Sequence, residues 1–206
     1  MNKDLYENIL NQENKKLTAT IENLTNFKQE ISQSLTNLFK YEKNPDTIKI
    51  FSDMYSRILT NLNKNYESPY FAKIEYTDDE EKKLETLYIG KVGFTSLDGE
   101  NEYVVDWRSP VSQVYYNGRL GRVSYQSLDK TFYGQLSLKR QFDIADKQIT
   151  KFFDNDDLIS NDDFLKPYLT TSADNRLKNI VATIQEEQNK IIRLPIFKNC
   201  IVQGVA

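Results

Sequence analysis

The residues best placed to hold a ligand lie near the C-terminal end. A helical stretch carrying Gln185 and Gln188 leads through Pro195 into "NCIVQGVA", Asn199 to Ala206, an apolar strand that ends at Gly204. A phosphate-binding loop starts in this way: a buried strand stops at a glycine, the backbone turns sharply, and successive N–H groups cradle phosphate at a helix N-terminus. The diagnostic continuation is a second glycine followed by Lys and Ser/Thr, and the sequence does not contain it. On spacing alone, an edge strand with a terminal glycine is an equally good reading. A chain that breaks off as a buried strand enters a glycine turn is expected to be the front part of a longer protein.

Other chemistries are excluded by residue type. The 206 residues include no His and one Cys, Cys200. A Ser-His-Asp triad, a Cys-His dyad, a His-ligated metal and an internal disulfide are therefore all ruled out. Three polar clusters remain. "DWRSP" places Asp106 and Arg108 on one face of a strand with Trp107 on the other. This is best read as a tryptophan anchor beside an ion pair that fixes a corner. Lys139-Arg140 suits either contact with phosphate or an acidic protein surface, or, more commonly, the guarding of an edge strand by solvated charge. Lys40, Tyr41, Glu42, Lys43 and Asp46 surround a helix break and are mixed in charge.

The elements that must position these residues follow from pattern. Hydrophobic residues make up 39% and charged residues 28%, which fits a compact core plus an extended solvated element. Residues 3 to about 66 contain no Gly and one Pro, Pro45. Leu10, Leu17, Leu24, Ile31 and Leu38 recur every seven residues; Ile21 and Leu35 fill partner positions, and Asn14 and Lys28 interrupt them. A helix of this length spans about 55 Å at about 1.5 Å per residue. Asn44-Pro45 breaks it, and Asp46 or Thr47 can cap a second helix with Ile48, Phe51, Tyr55, Ile58 and Leu62 on one face. A short turn between two helices predicts an antiparallel hairpin over residues 1–67.

Residues 68–153 change character. Short β-rich runs appear ("YFAKIEY", "TLYIGKVGF", "EYVVDW", "VSQVYY", "RVSYQ", "TFYGQLSLKRQFDIA", "QITKFF"), separated by turn signals at Asp98-Gly99, Asn117-Gly118 and Gly121. They predict a small, mostly antiparallel sheet or barrel. Residues 154–206 open with an acidic, Asn-rich connector, with five Asp between Asp154 and Asp163, and continue as a helix from about Ser172 and the strand described above. The fold class is therefore α+β. The formal charge is -3, with a local excess of eight Lys/Arg over four Asp/Glu from Asp106 to Lys151. No apolar run reaches membrane-spanning length, and "MNKDLYENIL" lacks a signal-peptide core, so the chain is expected in the cytoplasm.

"ATIQEEQNKIIR" followed by "IVQGVA" resembles the N-terminal edge of UvrD/Rep-like superfamily 1 helicases. There a glutamine ahead of the phosphate-loop strand hydrogen-bonds adenine. By that resemblance Gln188 would contact the base, and Gly204, Val205 and Ala206 would open the Walker A loop that holds ATP and Mg2+ in the full-length parent. "SPYFAKIEY", "LYIGKVGF", "YVVDWRSPVSQVYYNG", "GQLSLKRQFDI" and "SADNRLKNIVATIQEEQNKIIR" together resemble the N-terminal region of HelD, a helicase-like ATPase associated with bacterial RNA polymerase. The resemblance implies that the hairpin is an arm entering the secondary channel of the RNA polymerase core. Tyr41, Glu42, Lys43 and Asp46 would be its partner-binding tip. ATP in the motor domains would help release or recycle stalled polymerase. The hairpin is short, and its only tip acids are Glu42 and Asp46, flanked by Lys40 and Lys43, so channel binding is a better expectation than contact with the polymerase's catalytic metal.

Two alternatives stand beside this reading. A conventional UvrD-like DNA-unwinding helicase would grip DNA through the basic stretch and bind with steep salt dependence. A non-enzymatic coiled-coil scaffold would need neither nucleotide nor polymerase. By itself the chain is expected not to hydrolyse ATP, because it lacks the Lys and Ser/Thr of the phosphate loop.

Overall fold

The computed structural model describes residues 3–117, 119–128 and 130–154, together with Ile191 and Ile201. Helix α1 runs over Lys3–Tyr41 and α2 over Pro45–Asn65. The β region comprises β1 (Ala72–Asp78), β2 (Leu84–Gly90), β3 (Phe94–Thr95), β4 (Glu102–Asp106), β5 (Gly121–Ser127), β6 (Lys130–Ala145) and β7 (Gln148–Asp154). A 3-10 turn, Pro110–Ser112, and a short helix α3, Gln113–Asn117, lie between β4 and β5. Ile191 is helical, and Ile201 is exposed and outside any regular element.

The seven strands form one sheet in the order β3-β4-β2-β1-β6-β5, with β7 also on β6. Every pair is antiparallel except β2 with β4, which is parallel because β3 intervenes in sequence and lies outside β4. β6 is the organising strand. At 16 residues it is long enough to pair with β5 along Lys130–Leu136 and with β7 along Arg140–Ala145, while β1 lines its other edge. The β1–β6 register shifts between Glu75 and Tyr76, and Ser137 Oγ donates to Glu75 O there. The shift lets Leu136 share a face with Tyr76 while Arg140 lies opposite Lys73 on the other face.

Alternation along the strands gives the sheet two covered faces. One carries Tyr70, Tyr88, Phe142, Ile149 and Phe152, packed against Leu17, Ile21, Leu24, Phe27 and Ile31 of α1 and Leu62 of α2. The other carries Ala72, Ile74, Tyr76, Ile89, Val123 and Leu136, covered by Val114 of α3 with Trp107 and Tyr115 beside it. Burial of each such large side chain contributes about 1.5–3 kcal/mol.

The expected α+β class, with a long N-terminal helix, its partner helix and a mostly antiparallel sheet, is what the structure shows. Several local expectations need correction. "VSQVYY" is not a strand. Pro110 sits at the first position of a helical turn, and Ser112 Oγ donates to Asp106 O at 2.8 Å, folding the segment back over the sheet. Phe51 is not in the helix seam; it is 41% exposed, since two helices share only a narrow contact and Phe51 falls at its margin. The cap of α2 is Asn44, not Asp46 or Thr47. Its Oδ1 accepts from Asp46 N at 2.9 Å and Thr47 N at 3.3 Å, and Pro45 at the first helical position loses no hydrogen bond.

Candidate functional site

Among the described residues, polar side chains gather both at the tip of the hairpin and at its root. At the tip, α1 ends when Glu42 N donates to Leu38 O and the chain turns through residues 42–44. Glu42 Oε1 accepts from Lys43 N at 2.8 Å and from Asn44 N at 2.9 Å. These amides, that of Asn44 first, hold the Glu42 carboxyl below the usual glutamate range. Asn44 then caps α2. The turn is thus closed by two side chains acting on four backbone donors, and its shape is fixed by local sequence.

The four residues expected at the tip are brought together by this turn. Tyr41 is 68% exposed with Lys40 Nζ 5.0 Å from its ring centre; Lys43 and Asp46 are exposed on either side of Pro45. Glu42 is partly turned inward, because one carboxylate oxygen serves the backbone. The sequence reading missed the apolar residues next to them. Phe39 is 60% exposed and Ile50 65%, and Met54 lies one turn beyond Ile50. Ile50 and Met54 are four residues apart and off the seam, a spacing that marks a second apolar stripe on α2.

At the root, Glu13 is buried at 4% exposure. Its Oε1 accepts from Arg140 Nη1 at 2.8 Å and Lys73 Nζ at 3.1 Å, and its Oε2 accepts from Tyr88 OH at 3.0 Å. Arg140 also makes a two-pronged pair with Asp154, Nε to Oδ1 at 2.6 Å and Nη2 to Oδ2 at 2.8 Å, and its guanidinium lies 4.5 Å from the Phe152 ring centre. Burial pushes the Tyr88 hydroxyl well above the usual tyrosine range, and the neighbouring Glu13 charge adds to this. One residue on, Asn14 Nδ2 donates to Ile149 O at 3.1 Å and its Oδ1 accepts from Ile149 N at 2.8 Å, so the side chain pairs with β7 as a neighbouring strand would. Tyr6 stacks on Phe152 at 4.5 Å.

The expectation that Lys139-Arg140 faces an acidic partner or guards an edge is overturned for Arg140. β6 is a central strand, so Arg140 points into the helix-covered face and is 6% exposed. Lys139 points to the opposite face, 5.3 Å over the Tyr115 ring. In "DWRSP" the ion pair is present, but on a turn and not along a strand. β4 stops at Asp106, and Asp106 Oδ1 accepts from both Arg108 N and Arg108 Nε at 2.8 Å. Trp107 leans on the second core beside Tyr116. Gln188, Gly204, Val205 and Ala206 lie outside the described residues. Among the described residues, no group of three or more His, Cys, Asp or Glu side chains could hold a metal ion, and no helix is long and apolar enough to cross a membrane.

The polar root, the central β6 strand and the "DWRSP" corner all fall within a segment that has counterparts elsewhere. A family model described as "DNA helicase IV HelD, N-terminal domain" matches residues 10–163. The chain belongs to this family. No curated protein matches it. The match begins inside α1 and takes in the rest of the hairpin, so in this HelD-type domain the arm and the sheet are recognised as one unit. At the root, Glu13 and Asn14 of the arm helix complete the polar contacts of β1, β6 and β7.

Proposed function

We propose that this chain is the N-terminal region of a HelD-like helicase/ATPase and that it works as a module binding the RNA polymerase core. The observation that carries the reading is a two-helix arm that presents Tyr41, Lys43 and Asp46 on a backbone turn closed by Glu42 and Asn44, while the other end of its long helix is built into a sheet. A narrow, pre-shaped tip suits insertion into a channel, because little conformational entropy is lost on docking. The arm enters the secondary channel and helps release or recycle stalled polymerase. ATP and Mg2+ bind in the motor domains of the parent, where Gln188 contacts the adenine and Gly204, Val205 and Ala206 open the phosphate loop.

The test is retention of the chain on immobilised core polymerase. The wild-type chain should bind, and Tyr41→Ala with Lys43→Glu should weaken binding about tenfold or more, as expected for loss of an aromatic anchor. Equal binding by the two would remove the arm from the interface. A DNA grip through the basic stretch has less support. Arg122 pairs with Asp79, Lys130 with Glu80, and Arg140 with Glu13 and Asp154, so much of that charge is already neutralised within the fold.

A further inference from the structure

Lys73 and Arg140 are register partners on adjacent strands and point to the same face of the sheet. Like charges placed directly across a sheet repel. Here one carboxylate, Glu13 from α1, is seated between them, and Asp154 closes the other side of Arg140 from β7. The arm helix, the centre of the sheet and the end of β7 are thus joined by one chain of charge that is buried at Glu13 and Arg140 and reaches the surface at Asp154. The apolar contacts around it are of a different kind. Leu17, Leu24, Phe27 and Ile31 are buried in one cluster shared with α2 and the sheet, but apolar packing is non-directional and tolerates sliding and tilt. A carboxylate that must meet two cations and a hydroxyl at hydrogen-bond distance does not.

We propose that the Lys73–Glu13–Arg140–Asp154 chain is an angular lock for the arm. It fixes the direction in which the hairpin leaves the sheet and ties that direction to the position of β7's last residue. Apolar packing supplies most of the holding energy, and the charges select one orientation out of those the packing would allow. Buried ionic groups replaced by apolar residues of similar size often leave stability intact, which separates the two roles experimentally.

The experiment uses the full chain with Cys200→Ser and spin labels on Asn37→Cys in the outer part of α1 and Ser124→Cys on β5, both exposed positions. Asn37 lies roughly 36 Å along the helix from Glu13 at about 1.5 Å per residue, so a tilt of about 10° displaces it by about 6 Å. Pulsed dipolar spectroscopy should give one narrow distance distribution for the wild-type background. Glu13→Gln, which removes one charge and almost no volume, should broaden it by several ångströms. The triple variant E13L/K73M/R140M should keep a cooperative unfolding transition and broaden it further. A narrow, unshifted distribution in Glu13→Gln overturns the lock, as does one in a folded triple variant, because apolar packing and the Asn14–Ile149 hydrogen bonds would then set the angle without the charges. If the triple variant does not fold, Glu13→Gln alone decides.

Discussion

Glu13 Oε1 and Arg140 Nη1 stand 2.8 Å apart across 127 residues of sequence. Both side chains are almost fully buried, at 4% and 6% exposure. The pair is where the arm helix and the sheet become one body. Removing Arg140 takes away the closer of the two cations on Glu13, leaves that buried carboxylate to Lys73 Nζ and the Tyr88 hydroxyl, and strips Asp154 of its two-pronged partner. Arg140→Ala is therefore expected to cost about 3–5 kcal/mol, read as a lowered midpoint of urea unfolding followed by circular dichroism. A loss of less than about 1 kcal/mol, the range of surface pairs, would contradict the burial described above.

Asn14 gives a prediction on which heptad logic and tertiary structure disagree. In a plain coiled coil, Asn14→Leu would strengthen the seam. In this fold the asparagine side chain satisfies both Ile149 N and Ile149 O. Leucine leaves both groups unpaired, so the variant should lose about 1–3 kcal/mol. Hydrogen exchange at the Ile149 amide should also accelerate.

Gly134 is expected to tolerate no side chain. A Cβ there would meet the Thr77 carbonyl and stand 2.5 Å from the Tyr76 ring, which is itself buried. Gly134→Ala should destabilise by about 1–3 kcal/mol, the usual cost of overpacking. Gly99, at φ +76 with open space around its Cβ position, should lose less for the same change, through backbone strain alone. Thermal unfolding of the two variants side by side checks the order.

Alkali should unfold the domain sooner than its acidic composition suggests. Burial raises the hydroxyls of Tyr70 and Tyr88 above the ordinary tyrosine value of 10.0. In the unfolded chain these groups ionise near that ordinary value, while in the folded chain they stay protonated. Their contribution is complete below about pH 10 and is lost as pH rises beyond it toward the folded values. Tyr88→Phe should flatten part of that loss. Urea midpoints measured between about pH 8 and pH 11 would show it, and parallel curves for variant and wild type would count against it.

The sequence by itself was enough for the two helices, their turn and most strands, because each is written in local chemistry. The seven-residue leucine repeat has one face to bury, Asn44-Pro45 can only end one helix and start another, and Asp98-Gly99 makes a turn wherever it is placed. The tip residues were legible for the same reason, since they cluster at a break in the chain. Local pattern could not show that "VSQVYY" would coil over the sheet, because its alternation suits a strand equally well and Pro110 with the Asp106 carbonyl tipped the balance. It gave Asn14 as an interruption and Arg140 as an edge charge. Only the tertiary structure decided that Asn14 reads β7 and that Arg140 sits in a central strand beneath α1. Strand order and helix placement determine what faces a polar side chain, and those depend on contacts between residues far apart in the chain, where no short-range period carries information.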